Sequence, residues 1–489
     1  MRLLALVLCF LIVAPAGDAA EVVGVTPADG WSIYGAKVAH LRDAGAPGGG
    51  ATRVEATLTT DPWSSGATAA FAGGVKAGET YTGVFWLRAG EGVRISALLL
   101  TNAPPYPTFA ITESIGSGDW QRLMVTGVAK ADSEAGKDAL ALHLGRAGPV
   151  TLGPAIILRG IPTPGELDAL EKTYKPDRIA EDVTVAASNG VKLAATLRIP
   201  MGAGPFPAIV VVGGSGPQVR GAFRILQKRM LSVGVATLEY DKRGSGESEG
   251  PSNERVSVLA EDARAMVRLL RSRPEIDPGR IAVVGHSQGG MVAAQVAGGT
   301  NPPHAAVLLL SPAIPGREHT IDQIARSLVM NFPERGSYDV QRGFAARLIA
   351  AAPDRALVEA VVASGVRDGR IPQEAAEQVI TALTDKVQLP AALERKPFED
   401  LRRVRIPLLA VYGGKDALVR PQENVPAARK ALAGNPRAEI VLLPRLNHAL
   451  QVPLTDDPEE WRTRPAMDGV EVLERVAGWL EKTLGVKPG

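Results

Sequence analysis

Between residue 21 and about residue 160, short runs in which apolar and polar residues alternate, such as "TYTGVFWLRA", "VRISALLL", "QRLMVTGVA" and "ALALHLG", are separated by clusters of Gly, Pro, Asp and Ser. Alternation with period two puts every second side chain on one face, so the pattern predicts half-buried strands joined by turns, an all-β sandwich. "GIPTPGELDALEKTYKPD" interrupts it with a short helical run between prolines and predicts a linker over residues 161–178. Beyond it, "EDVTVAASNGVKLAATLRIP" predicts a hairpin with an Asn189-Gly190 turn. The runs "FPAIVVVGGSG", "RMLSVGVATLEYD", "GRIAVVGHSQGG", "AAVLLLSPA", "RIPLLAVYGGKD" and "AEIVLLPRLNH" follow, with helical patterns such as "SVLAEDARAMVRLLRSR" between them. Continuous apolar runs suit parallel strands covered on both faces, so residues 179–489 are expected to form a doubly wound, mostly parallel α/β sheet. Between "LLLSPAIPG" and "RVRIPLLAVYGG" only helical spacing is found, which predicts a helical cap insertion at about residues 314–402; the same apolar faces would also serve as a dimer seam.

The first twenty residues have a different pattern. Arg2, the apolar run "LLALVLCFLIVA" and then "PAGDAA" read as a signal peptide cleaved near Ala19 or Ala20, which predicts export to the periplasm or the outside. That run is short for a bilayer span, and no later stretch has the length of one. The single cysteine, Cys9, falls inside it, behind Leu8 where a lipidation site would want a small residue. A chain cleaved there has neither disulfides nor a thiolate nucleophile. The chain of 489 residues is long enough for two domains, and 54 basic against 52 acidic residues, with no Lys/Arg run, give no footprint for nucleic acid.

Chemistry is concentrated in the second half. Gly285-His286-Ser287-Gln288-Gly289 ends an apolar run and opens a small-residue helical run. This is the context of a G-x-S-x-G nucleophile elbow, in which a strained strand-to-helix turn exposes the serine and Gly285 and Gly289 allow close approach. Ser287 then needs a base and a group to orient that base. Of six histidines, His448 in "LPRLNHAL" follows the last predicted strand and is the expected base. Asp416 in "LLAVYGGKDALV" follows the strand before and is the expected orienting acid; Glu423, which opens a helical run, is its competitor. Gly213-Gly214-Ser215-Gly216 after a strand predicts an oxyanion loop, with the N–H groups of Ser215 and Gln288 as donors; a plain glycine turn is the structural alternative, and a P-loop is excluded because no Gly-Lys-Ser/Thr follows. Gly214, Gly216, His286 and His319 are candidate pocket residues, although for His319, Arg317 and Arg342 a solvated surface is the competing fate.

From about residue 179 the chain resembles the α/β-hydrolase superfamily, in its esterase, serine aminopeptidase-like and dienelactone-hydrolase-like branch. "EYDKRGSGESEG", "DPGRIAVVGHSQGG", "VYGGKDALV" and "LNHAL" carry the resemblance and fall in the expected order. It implies that Asp241, Arg243, Gly244 and Gly246 form a structural turn near the site. Gly213-Gly214 stand where the family usually has His-Gly. Residues 21–160 resemble galactose-binding-type jelly-roll modules, including carbohydrate-binding ones, with Trp31, Trp63, Trp86 and Trp120 as either core residues or sugar platforms.

The expected function is that of a secreted serine hydrolase, carboxylesterase-like, acting on a small-molecule or glycan-linked ester with no metal or organic cofactor. A serine peptidase of aminopeptidase type or an acyl thioesterase is the alternative. An inactive envelope glycan-binding protein, with polysaccharide as partner, is the alternative of another class. The sequence leaves the oligomeric state open.

Overall fold

The computed structural model describes residues 20–174, 178–187, 190–386, 388–455, 467 and 469–486. The expected signal segment up to residue 19 and the Asn189 of the expected turn lie outside the described residues. The chain divides into two compact units, residues 1–181 and 182–489.

The first unit is β-rich, with two antiparallel sheets. One runs β3 (Ala36–Arg42), β4 (Gly50–Ala56), β11 (Pro149–Arg159), β6 (Thr80–Ala89) and β9 (Trp120–Val128), with β1 (Glu21–Thr26) also on β11. The other runs β2 (Ser32–Tyr34), β5 (Gly66–Ala70), β10 (Asp138–His143), β7 (Arg94–Thr101) and β8 (Thr108–Ile115). The period-two rule explains the layering. Tyr81, Phe85 and Leu87 of β6 point into a core shared with Leu99, Leu140 and Leu142 of the other sheet, while Val84 and Trp86 face the opposite way.

That outer face corrects the linker expectation. Residues 164–173 form helix α1 (Pro164–Thr173), started by a capping box between Thr163 and Glu166. Its Leu167 packs with Val84, Trp86, Ile156 and Leu158, so the segment belongs to the β-rich unit. The tryptophans separate as well. Trp31 is buried and its Nε1 donates to the Gly153 carbonyl at 2.8 Å; Trp86 is buried; Trp120 is half-buried under the Arg88 guanidinium. Trp63 is 61% exposed.

In the second unit, an eight-stranded sheet runs β12 (Arg178–Ala186), β13 (Lys192–Pro200), β15 (Ala236–Tyr240), β14 (Phe206–Val212), β16 (Ile276–His286), β17 (Ala305–Leu309), β18 (Leu408–Gly413) and β19 (Ala438–Leu443). β13 meets β15 antiparallel, and from β15 to β19 every pairing is parallel. The uninterrupted apolar runs are accounted for by two-sided burial. Ala208, Val210 and Val212 of β14 enter the core beneath α3 (Val256–Ser272) and α4 (Gln288–Ala297). Ile209 and Val211 enter the opposite core with α2 (Arg224–Ser232) and α12 (Val470–Thr483).

Between β17 and β18, helices α5 (Gly316–Asn331), α6 (Tyr338–Ala351), α7 (Arg355–Arg367), α8 (Ala376–Thr384) and α9 (Gln388–Leu393) build a separate apolar core around Phe344, Leu348 and Val358. The next helix, α10 (Pro397–Arg403), contributes Leu401 to the core of the main sheet, so the inserted bundle closes near residue 393, short of the expected 402. α11 (Pro421–Leu432) follows β18.

Because Leu140 is fully buried between the two antiparallel sheets, Leu140→Ala is expected to destabilise the first unit by about 2–5 kcal/mol. Urea unfolding followed by tryptophan fluorescence checks this, since four of the six tryptophans lie in that unit; an unchanged midpoint would contradict the shared core.

Candidate active site

The carboxyl ends of parallel strands share one edge, so the loops after β14, β16, β18 and β19 converge there. At the end of β16 the backbone turns into α4 through Ser287, whose φ of 55° and ψ of −118° are unusual for a residue with a side chain. The Ser287 N–H donates to the Leu309 carbonyl at 2.8 Å and its carbonyl accepts from Gly290 at 3.0 Å. Any side chain at the flanking glycines would collide with backbone. A Cβ on Gly285 would lie 2.0 Å from the Gly289 carbonyl oxygen, and one on Gly289 would lie 2.2 Å from that of Val212. Gly290, which the motif reading passed over, is confined by the Ser311 side chain.

Ser287 Oγ lies 3.1 Å from His448 Nε2, and His448 Nδ1 lies 2.8 Å from Asp416 Oδ2. A carboxylate only accepts, so Nδ1 carries the donated proton and Nε2 presents a lone pair to the serine hydroxyl. The Asp416 side chain is fully buried, and its Oδ1 accepts the N–H groups of Leu418 and Val419, each at 2.8 Å, which leaves Oδ2 for the imidazole. The competitor Glu423 instead pairs with Arg420 at 2.8 Å.

The half-buried ring of His286 packs against Phe223 and His448, and its Nε2 lies 2.8 Å from the His448 carbonyl oxygen, to which it must donate. It therefore holds the loop that carries the base. His319, on α5, is 3% exposed, which overturns the solvated alternative for it; the groups acting on it include Arg395, Asp322, Asp416 and the His448 imidazole. Arg317 is exposed, and Arg342 pairs with Glu318 at 3.0 Å on the surface.

The loop after β14 is fastened by side chains at the end of β15. Glu239 accepts from the N–H of Gly221 at 2.6 Å, and Asp241 accepts from the N–H of Arg220 at 2.7 Å and from that of Glu247 at 2.8 Å. Arg243 is buried against Asp262, with Nε 2.7 Å from Oδ2. Asp241, Arg243 and the glycines after them are thus structural, as the resemblance implied. Lys242 between them was missed. Its buried Nζ shares three N–H bonds among four acceptors, Glu254 Oε1 at 2.6 Å, Gln288 Oε1 at 2.9 Å, and the carbonyls of Gly216 at 3.1 Å and Gly214 at 3.3 Å. In a planar trans peptide the C=O and N–H point opposite ways. An ammonium that draws in the Gly214 carbonyl therefore turns the Ser215 N–H away from itself. Gly214 abuts the serine, since a Cβ there would lie 3.4 Å from Ser287 Cβ. Gln288 also donates from Nε2 to the Glu254 carbonyl at 3.0 Å. In the sequence, Lys242 lies in a run of charged turn residues, where nothing marks it as buried.

Among the described residues no group of three or more His, Cys, Asp or Glu side chains is placed to hold a metal ion, and no helix is long and apolar enough to cross a membrane.

The parallel sheet, with the serine turn on its edge, defines a hydrolase of the α/β class. The model of the serine aminopeptidase S33 family (Hydrolase_4) matches residues 204–452, half of the chain, and the chain belongs to that family. It is 28% identical over 316 residues to esterase EstD of Thermotoga maritima, covering 62% of this chain and 67% of that one. It is 34% identical over 105 residues to the quorum-quenching protein AidA of Acinetobacter baumannii, 21% of this chain and 34% of that protein. Among solved structures, the esterase Pf2001 of Pyrococcus furiosus aligns with 66% of this chain and 96% of its own, at 18% identity and a TM-score of 0.41.

Burial lowers the pKa of both His286 and His319 to about 4, with His448 adding to the effect on the first and Arg395 to that on the second. Both are neutral in the folded protein at pH 7 and would bind protons near pH 6.5 once unfolded. Between those values the unfolded state holds more protons, so the contribution to stability is complete above pH 6.5 and is lost as the pH falls toward 4. Thermal unfolding across that range is expected to show a falling Tm, with a shallower fall in His319→Gln; equal slopes in both proteins would contradict the assignment.

Proposed function

We propose that the protein is an exported serine hydrolase that cleaves carboxylic esters. The in-line contacts from Ser287 through His448 to Asp416, on a strained turn, carry this reading. Ser287 attacks the ester carbonyl as His448 takes its proton. Asp416 holds the imidazole in the acceptor tautomer and stabilises the imidazolium that forms. The backbone N–H groups of Ser215 and Gln288 receive the oxyanion, the alcohol leaves with the proton from His448, and water releases the acid by the same steps. The similarity to esterase EstD supports an ester over an amide. The apolar segment ahead of Ala19 supports export. The inserted helices act as a cap over the serine, a role supported by the closeness of His319 to the triad charges. For the first unit, a jelly-roll that presents Trp63 to a glycan is supported by the two antiparallel sheets and by the exposure of that ring.

The deciding experiment sets 4-nitrophenyl acyl esters against aminoacyl 4-nitroanilides, with wild type beside Ser287→Ala. Ester turnover that drops by about 10⁴-fold or more in the variant is expected. Anilide cleavage alone would shift the reading to a peptidase, and equal rates in both proteins would remove Ser287 as the nucleophile.

Lys242 provides a second test. Lys242→Met frees the Gly214 peptide and is expected to lower kcat by about 10²-fold, with little change in KM. Glu254→Gln in the same chain removes the buried charge left behind, so a kcat loss that persists in a double variant with wild-type Tm reports loop geometry. Recovery of kcat in that double variant would show that only the charge balance mattered.

A further inference from the structure

The carboxylates around the site have partners of their own. Asp416 is engaged by His448 and two backbone N–H groups. Asp322 is engaged by Arg326 at 3.1 Å and by the Tyr338 hydroxyl, and Glu254 by Lys242 at 2.6 Å. One cation remains. Arg395, just after α9, is half-buried, and its Nε is sealed from solvent without an acceptor. Among the described residues, no carboxylate lies within ion-pair distance of its guanidinium. Its position is set by the backbone, because the Gly316 N–H donates to the Arg395 carbonyl at 2.9 Å, and a Cβ on Gly316 would lie 2.9 Å from Arg395 Cβ. The neighbouring residue is fastened by the pair Arg255–Glu394 at 2.5 Å.

Two groups that already belong to the site interact electrostatically with Arg395. One is His319, 3% exposed, whose Nδ1 has no hydrogen-bond partner. The other is the Lys242–Glu254 pair that holds the loop after β14: the Arg395 charge lowers the Lys242 pKa, and the Glu254 charge raises that of Arg395. Lys242 and Arg395 share the Glu254 carboxylate, whose Oε2 is itself buried without a partner, so one positive charge beside a buried imidazole with a free ring nitrogen is left over, which is costly unless something arrives to meet it. Guanidinium is shaped to take a carboxylate on two parallel N–H bonds.

We propose that Arg395, with His319 beside it, forms a subsite for a carboxylate carried by the ester substrate. The inference rests on the ester-hydrolase reading and narrows it to acidic esters: half-esters of dicarboxylic acids, or esters whose alcohol carries an acid group. The carboxylate accepts from the guanidinium, and no proton or bond changes hands at this subsite.

The test uses two matched pairs on the full protein. For the acyl side, 4-nitrophenyl hemiglutarate is set against 4-nitrophenyl pentanoate. For the alcohol side, 4-(butanoyloxy)benzoate is set against its methyl ester. In at least one pair kcat/KM is expected to favour the acidic member, and Arg395→Gln is expected to lower that preference by about 10- to 100-fold, mainly through KM. Arg395→Lys, which keeps the charge, is expected to retain part of it. The ratio within one protein is insensitive to partial misfolding, which affects both members alike. A site for the anion must also bind without turnover. Calorimetric titration of Ser287→Ala with glutarate and with 4-hydroxybenzoate should show binding of one of them that disappears when Arg395→Gln is added.

Preference for neither acidic ester, or a preference that survives Arg395→Gln, would overturn the subsite while leaving the hydrolase in place. Equal losses on acidic and neutral members, with no anion binding, would reduce Arg395 to a counter-charge for Glu254. If no ester is turned over in a Ser287-dependent way, the ester reading fails, and the titration alone then decides the subsite.

Discussion

The second unit depends on one unfavourable backbone geometry, the turn at Ser287. A residue with a side chain held at φ 55° and ψ −118° costs on the order of 1–3 kcal/mol. It persists only because its surroundings leave no other path. The N–H of Ser287 is tied to β17, its carbonyl is tied into α4, and Gly285 and Gly289 bring strand, helix and the end of β14 within backbone contact. The same constraint presents Oγ at the sheet edge and places the first N–H of α4 next to it. The sheet supplies the restoring force, since β16 is paired on both sides and buried on both faces.

Around that fixed point, the mobile parts of a sheet edge, its loops, are fastened by buried polar groups. His448 is held by its side chain to Asp416 and by its carbonyl to His286. The loop after β14 is held by Glu239, Asp241 and Lys242, which come from one strand end. Such groups are a poor source of stability, because each ion loses its hydration on burial. Their value is in direction: an ammonium with four acceptors around it fixes the planes of peptides that would otherwise be free to rotate.

How much of this was legible in the sequence follows from how local each signal is. The order of strands and helices was readable because two-sided burial leaves uninterrupted apolar runs. The turn at Ser287 was readable because its steric demands fall on residues one to three positions away. Asp416 and His448 could be placed because each follows a strand, and parallel strands end on one edge. The linker was misread because a capping box and one leucine carry α1, and the face that receives Leu167 is assembled from strands some eighty residues upstream and a few residues upstream. Lys242 and Arg395 were missed, and the bond from His286 to the loop of His448 was not foreseen, for the same reason. Lys242 meets Gln288 across 46 positions and His286 meets His448 across 162, and no local pattern encodes those encounters.

The division of labour within the second unit follows from electrostatics. Groups at the sheet edge engage one another: Asp416 has donors on both oxygens, and Lys242 is paired with Glu254. A site built only from these would bind a neutral carbonyl and little else. The segment between β17 and α10 alters that balance, because it brings Arg395, whose buried Nε has no acceptor, and the imidazole of His319, kept neutral by burial and by that same guanidinium. Chemistry common to the fold thus resides on the rigid edge, where geometry is costly to change. On the proposed reading, selectivity resides on the insertion and the segment just after it; the insertion has an apolar core of its own and can vary without disturbing the turn at Ser287.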